Sequence, residues 1–182
     1  MSKAIGMLEI KSIAKGIYAA DAMVKASDTE LYTASPACPG KYEIVVLGDV
    51  AEVETAIQKG IEIAESFLID STLIPNINEE VFFAMKKKGL ADEIKALGIL
   101  EVRTLAAMLE AADRVLKAAD LHAVSLRLGG GIGGKAYFVF TGDISAVSAG
   151  LEAGRAIAEK RGTFVDGETI ASPAFQLKQI FS

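Results

Sequence analysis

Apolar residues alternate between runs and helical spacing along this chain, and they do so in the same order twice. AIGMLEI (Ala4–Ile10) reads as a strand. Ser12 follows as an N-cap, able to accept from the first N–H groups of a helix. Ile13, Ile17, Ala20 and Val24 then recur at helical spacing and predict an amphipathic helix with these residues on its apolar face. LYTAS and YEIVVLG read as two strands. Asp49 marks the start of a second helix whose face is Val53, Ile57, Gly60 and Ala64. STLI closes the pattern as a last strand. The order is β-α-β-β-α-β, which predicts helices packed on a sheet in a split βαβ arrangement.

The second half repeats the first. AIGMLEIKSIAKGIYAADAMVKASD, from Ala4, aligns without gaps on ALGILEVRTLAAMLEAADRVLKAAD, from Ala96, an offset of 92 residues. Glu9 and Glu101, Asp21 and Asp113, and Lys25 and Lys117 are identical pairs, while Thr104 stands for Ser12. Leu105, Leu109, Ala112 and Leu116 mirror the first helix face. After a two-residue insertion, GKYEIVVLGDVAEV meets GKAYFVFTGDISAV, and Val147, Leu151, Gly154 and Ala158 mirror the second face. Strands AVSLRL and TFVDGETI complete the copy. The expected domains are residues 1–88 and 95–182, joined through the charged stretch MKKKGLADEIK, whose Lys86–Lys88 run reads as a solvated linker.

Charge and composition narrow the function. A net charge of −5 disfavours a nucleic-acid partner. The start of the chain is too short and too polar for a signal peptide, and no apolar run reaches the roughly 20 residues of a membrane span. One cysteine, Cys38, excludes an intramolecular disulfide and suits a reducing cytoplasm.

Gly129, Gly131 and Gly134 in LGGGIGGKAYFVFTGD fit the dinucleotide pattern G-x-G-x-x-G. That pattern needs a helix after the loop to hold an anion, and here a strand-like run follows. Lys135 also lacks the Ser or Thr that would complete a P-loop. The equivalent loop of the first copy is SPACPGKYE, with proline and the cysteine in place of glycine and the same Gly-Lys at its end. Glycine permits close approach of backbones and proline stiffens a turn, so both loops suit copies crowding around an axis.

AIGMLE, AADAMVKASD, PGKYEIVVLGDVAEVETAI and LIPN, with their second-copy partners, resemble bacterial microcompartment shell proteins of the tandem-domain type, most of all the propanediol-utilisation branch. The resemblance covers essentially the whole chain. It implies an α/β (α+β) fold of two tandem shell domains in unpermuted strand order. It further implies a homotrimer that imitates a six-domain tile, packs edge to edge with other shell proteins and belongs to a compartment shell inside the cytoplasm. The pore on the tile axis would be lined by Ser35, Pro36, Ala37, Pro39 and Gly40 from one loop. Gly129, Gly130, Gly131, Ile132, Gly133 and Gly134 would line it from the other. Lys25 and Lys117 would lie at tile edges.

Cys38 matches the position at which relatives carry a cysteine that holds a [4Fe–4S] cluster, one thiolate from each of three subunits. Such a cluster needs several thiolates, and a three-fold axis supplies three from chains that own one each. The role implied is electron transfer across the shell, with an enclosed redox enzyme as partner. Two other readings stay open: a tile whose pore passes a metabolite without a cluster, and a trimeric small-molecule-sensing regulator. His122 begins a strand without a nearby partner in sequence and reads as a surface residue. Asp49 and Asp143 read as helix caps, and Glu9 and Glu101 have no accompanying base or nucleophile. A structural protein is therefore expected rather than an enzyme.

Overall fold

The computed structural model describes residues 4–86, 91 and 93–181. Lys87 and Lys88, where the linker and the end of the first domain were expected, lie outside the described residues. The strands are β1 (Ala4–Ile10), β2 (Glu30–Ala37), β3 (Lys41–Gly48), β4 (Leu68–Ile74), β5 (Ala96–Val102), β6 (His122–Leu128), β7 (Ala136–Gly142) and β8 (Phe164–Ile170). The helices are α1 (Ile13–Ala26), α2 (Val50–Ala64), α3 (Glu79–Met85), α4 (Leu105–Ala118), α5 (Ile144–Lys160) and α6 (Phe175–Ile180). The periodicity thus places every strand and all four long helices, and misses α3 and α6. Asn78 starts α3 by accepting from Glu80 N at 2.8 Å, an N-cap the apolar pattern does not reveal.

The chain forms two compact units. The first comprises Met1–Ile77 together with Thr104–Ala106 and Gly129–Gly134; the second comprises Asn78–Arg103, Ala107–Leu128 and Lys135–Ser182. Each holds one antiparallel four-stranded sheet, ordered β2-β3-β1-β4 in the first unit and β6-β7-β5-β8 in the second. The two registers match in detail. Glu9 faces Glu43 and Asp70, while Glu101 faces Tyr137 and Asp166. A bulge interrupts β1–β4 after Glu9 and β5–β8 after Glu101, and another interrupts both hairpins, between Leu31 and Thr33 and between Ala123 and Ser125. Irregularities repeated at the same register are specified by sequence, because a slip by one residue would send every side chain to the wrong face.

In the first unit, Leu8, Ile10, Tyr42, Ile44 and Val46 of the sheet pack against Ala19, Ala20 and Met23 of α1 and Val53, Ala56 and Ile57 of α2. The α2 face is the expected one, and α5 likewise buries Val147, Leu151, Gly154 and Ala158. The α1 face is not. It buries Gly16, Ala19, Ala20 and Met23, and leaves Ile13 and Ile17 exposed. The reason is a close approach: a Cβ on Gly16 would lie 2.4 Å from the ring of Tyr42, so the helix seats its smallest residues on the sheet. In α4 the expected residues Leu105, Leu109, Ala112 and Leu116 are all buried.

Every residue of β1 is buried, so this strand is covered on both faces, which explains its nearly unbroken apolar run. In the second unit Ile94, Leu97, Val124 and Val139 form a separate cluster with Leu177 and Phe181 packed against it.

Candidate functional site

The two disputed loops meet in the first unit. Strand β2 continues past Ser35, the end of its predicted run, through Pro36 and Ala37, which lie in a strand where sequence predicts a loop. Proline is admissible there because β2 is the edge strand, and Pro36 pairs in register with Tyr42. The Tyr42 hydroxyl donates to Ala34 O at 3.0 Å and the Ser35 hydroxyl to Glu43 at 3.0 Å, fixing this end of the hairpin. The connection itself shrinks to Cys38, Pro39 and Gly40, with Gly40 at φ +69°. Cys38 is exposed at the tip.

The glycine loop connects β6 to β7, a strand and not a helix, so the geometry of a nucleotide-binding turn is absent from it. Gly129, Gly130, Gly131, Gly133 and Gly134 all have positive φ, a backbone course that side-chain-bearing residues adopt only with strain. Gly134 is also crowded. A Cβ there would lie 2.6 Å from Pro39 Cδ and 3.2 Å from Cys38 O. Ile132, between these glycines, is half-buried.

Beneath the loops sits a charged cluster that sequence reasoning did not assemble. Glu9 is fully buried in the middle strand β1. Its carboxylate accepts from Ala106 N at 2.8 Å and from Lys41 Nζ at 3.1 Å, and Lys41 also donates to Gly134 O at 3.1 Å. Ala106 is the second residue of α4, whose first-turn N–H groups lack intrahelical acceptors; Glu9 satisfies one and meets the positive end of the helix dipole. The Thr104 hydroxyl donates to Asp70. Burial pushes the Glu9 carboxyl above its ordinary value, against the pull of the Ala106 N–H and Lys41. Glu43 is raised as well, by burial, with the Ser35 hydroxyl opposing it and Glu9 adding to it. The available signal was the Gly-Lys pair repeated at the end of both loops together with the repeated glutamate.

The remaining sequence candidates separate from this cluster. Ser12 caps α1, accepting from Lys15 N at 3.3 Å. Asp49 occupies the N-cap of α2, and Glu52 accepts from its N–H at 3.2 Å. Asp143 occupies the N-cap of α5 but directs its carboxylate to Lys95 at 3.1 Å. Lys25 pairs with Asp21 and Lys117 with Asp113, both at 2.7 Å in the last turns of α1 and α4. Asp113 additionally accepts from Asn78 N at 2.7 Å. His122 is exposed and lies 3.0 Å from Glu80, a partner 42 residues away. Among the described residues, no three His, Cys, Asp or Glu side chains gather as a metal site, and no helix is long and apolar enough to cross a membrane.

Comparison with known proteins agrees with this architecture. The family profile of the BMC domain matches residues 4–77 and again residues 96–173. The chain is 39% identical over 173 residues to the bacterial microcompartment shell protein PduT of Citrobacter freundii, covering 95% of this chain and 94% of the relative. It is 35% identical over 89 residues to the shell protein EutM of Escherichia coli, which spans 48% of this chain and 89% of that relative. Among solved structures, a microcompartment protein from Desulfitobacterium hafniense DCB superposes with a TM-score of 0.87 at 40% identity, covering 98% of this chain and 99% of that one. A fused permuted hexameric shell protein of the RMM microcompartment, MSM0275, shares the fold at a TM-score of 0.67 and 15% identity, over 87% and 84% of the two chains. Two family matches of full-domain length, on two sheets of identical strand order, leave one conclusion: the chain belongs to the BMC-domain family of bacterial microcompartment shell proteins and carries the domain in tandem.

Proposed function

We propose that this shell protein assembles as a homotrimeric, pseudohexameric tile within a microcompartment shell in the cytoplasm, and that its central pore holds a [4Fe–4S] cluster through Cys38 of each subunit. The exposure of Cys38 at the tip of a short hairpin carries the reading. A lone cysteine in a domain of this kind is usually a small buried apolar residue, and this one is not. The donor set fits a shared group: one chain offers a single thiolate and, among its described residues, no accompanying metal-ligand cluster. Three copies around an axis would supply three thiolates.

When bound, the cluster would supply one-electron transfer across a shell wall, exchanging electrons with an enclosed redox enzyme. The chain's own residues would position and seal. The strand holding Pro36 and the following Pro39 stiffen the approach to the thiolate. The close contact of Gly134 with Pro39 and Cys38 O brings the glycine loop against the same tip, so both loops would line the pore. The buried Glu9–Lys41 pair anchors them from below.

Protein purified without oxygen is expected to be a brown trimer containing iron and sulfide, and Cys38→Ser a colourless trimer of the same mass. A brown Cys38→Ser trimer, or a colourless wild type, overturns the cluster reading.

A further inference from the structure

The two hairpin tips of the first unit touch, and one buried ion pair holds the contact from inside. Lys41 pairs with Ala37 on the first rung below the Cys38-Pro39-Gly40 turn. Two residues further from the turn, Glu43 faces Glu9 across β3 and β1. The Lys41 ammonium therefore stands on the tip side of the Glu9 carboxylate. It donates to Glu9 Oε2 and to the Gly134 carbonyl, both at 3.1 Å. Gly134 in turn rests against the tip: a Cβ on it would lie 3.2 Å from Cys38 O and 3.2 Å from Lys41 Cε. Through one peptide unit, the ammonium reaches the backbone of the residue that carries the thiol.

Burial makes this charge count. The Lys41 side chain is 13% exposed and the Glu9 side chain 0%. Ala106 N donates to the other Glu9 oxygen at 2.8 Å, so both oxygens accept, the pattern of an ionised carboxylate. Glu43 and Asp70 face Glu9 from the neighbouring strands, and each accepts from a hydroxyl, that of Ser35 or Thr104. Salt screens exposed charges strongly and charges in such a setting much less. Anchoring alone needs no charge, because an apolar pair of similar volume often holds a fold as well as a buried ion pair. A fixed charge behind an exposed thiol acts on whatever that thiol binds.

We infer that Lys41 is a positioning residue for the pore site, and that the Lys41–Glu9 pair, positive end toward the tip, sets the reduction potential of the group held at Cys38. The inference rests on the cluster reading above. Iron–sulfur potentials depend on net charge, hydrogen bonds to sulfur and solvent exposure. A group that accepts one electron becomes more negative by one charge, so a nearby ammonium favours its reduced form and a nearby carboxylate opposes it. At a separation on the order of 10 Å and an effective dielectric of about 20, a unit charge shifts such an equilibrium roughly tenfold. The two members of the pair therefore act in opposite directions, the nearer one more strongly.

The test is a redox titration of the anaerobically purified trimer with dithionite and mediator dyes, followed by visible absorbance. At an ambient potential fixed at the wild-type midpoint, Lys41→Met should lower the ratio of reduced to oxidised cluster roughly tenfold. Glu9→Gln should raise that ratio by a smaller factor. The double variant, in which neither charge remains, should fall between the two, and it leaves no buried charge without its partner if Lys41→Met alone does not fold. Lys41→Arg, which keeps the charge, should stay close to wild type. Shifts of the same sign in the two single variants, or unshifted brown proteins, overturn the inference and leave the cluster reading standing. A colourless wild type removes the cluster, and this role of Lys41 with it.

Discussion

Glu9 shows how one residue type takes two characters in duplicated surroundings. A carboxylate inside a sheet is costly unless hydrogen-bonded and paired, and here a helix N–H and an ammonium share the task. Burial still dominates, so the folded pKa lies above the ordinary 4.5. A raised pKa means that the folded chain retains a proton the unfolded chain has released. The stability contributed by Glu9 is therefore fully present below pH 4.5 and is lost as pH rises through its folded value. Chemical-denaturant titrations of wild type should show stability falling across that window. Glu9→Gln should flatten the fall and leave the part due to Glu43, which shifts in the same direction. Equal slopes in the two proteins would refute the assignment.

Among the elements, the hairpin ends are where equal sequences part company. Gly40 and Gly134 both have positive φ, so alanine at either site pays a backbone cost of roughly 1–2 kcal/mol. Only Gly134 adds overlap with Pro39 and Cys38 O. Gly134→Ala should lower Tm by several degrees more than Gly40→Ala, since overpacking costs about 1–3 kcal/mol. A similar Tm for both would mean the loops are not in contact. The first helix teaches the same lesson. Its isoleucine spacing is helical, and the helix is there, but which face is buried was settled by the seating of Gly16 on Tyr42.

For the whole molecule, the proposed edge-to-edge assembly should be separable from folding. Lys25 and Lys117 make i,i+4 pairs of a kind worth about 0.3–0.5 kcal/mol, and their side chains are 72% and 40% exposed. Replacing both by alanine should leave Tm and the mass of the isolated tile nearly unchanged while abolishing extended sheets under the electron microscope. Sheets formed by the double variant would place the tile edge elsewhere. Asp113 remains held by Asn78 N in that variant, so the helix end is not left with a bare charge.

The sequence alone determined the strands and the four long helices, the duplication, the family and the absence of a helix after the glycine loop, and it left the short α3 and α6 unmarked. These depend on local periodicity and on residue types at fixed spacing, which are written along the chain. It also marked Cys38, Glu9, Glu101 and the repeated Gly-Lys as worth notice. The tertiary structure decided that Glu9 meets Lys41 and the Ala106 N–H, that Asp70 takes the Thr104 hydroxyl, and that the two hairpin tips touch. Identical residues in the two copies carry identical local instructions. What separates them is which groups the folded chain brings within hydrogen-bond distance, and that depends on residues up to 97 positions apart.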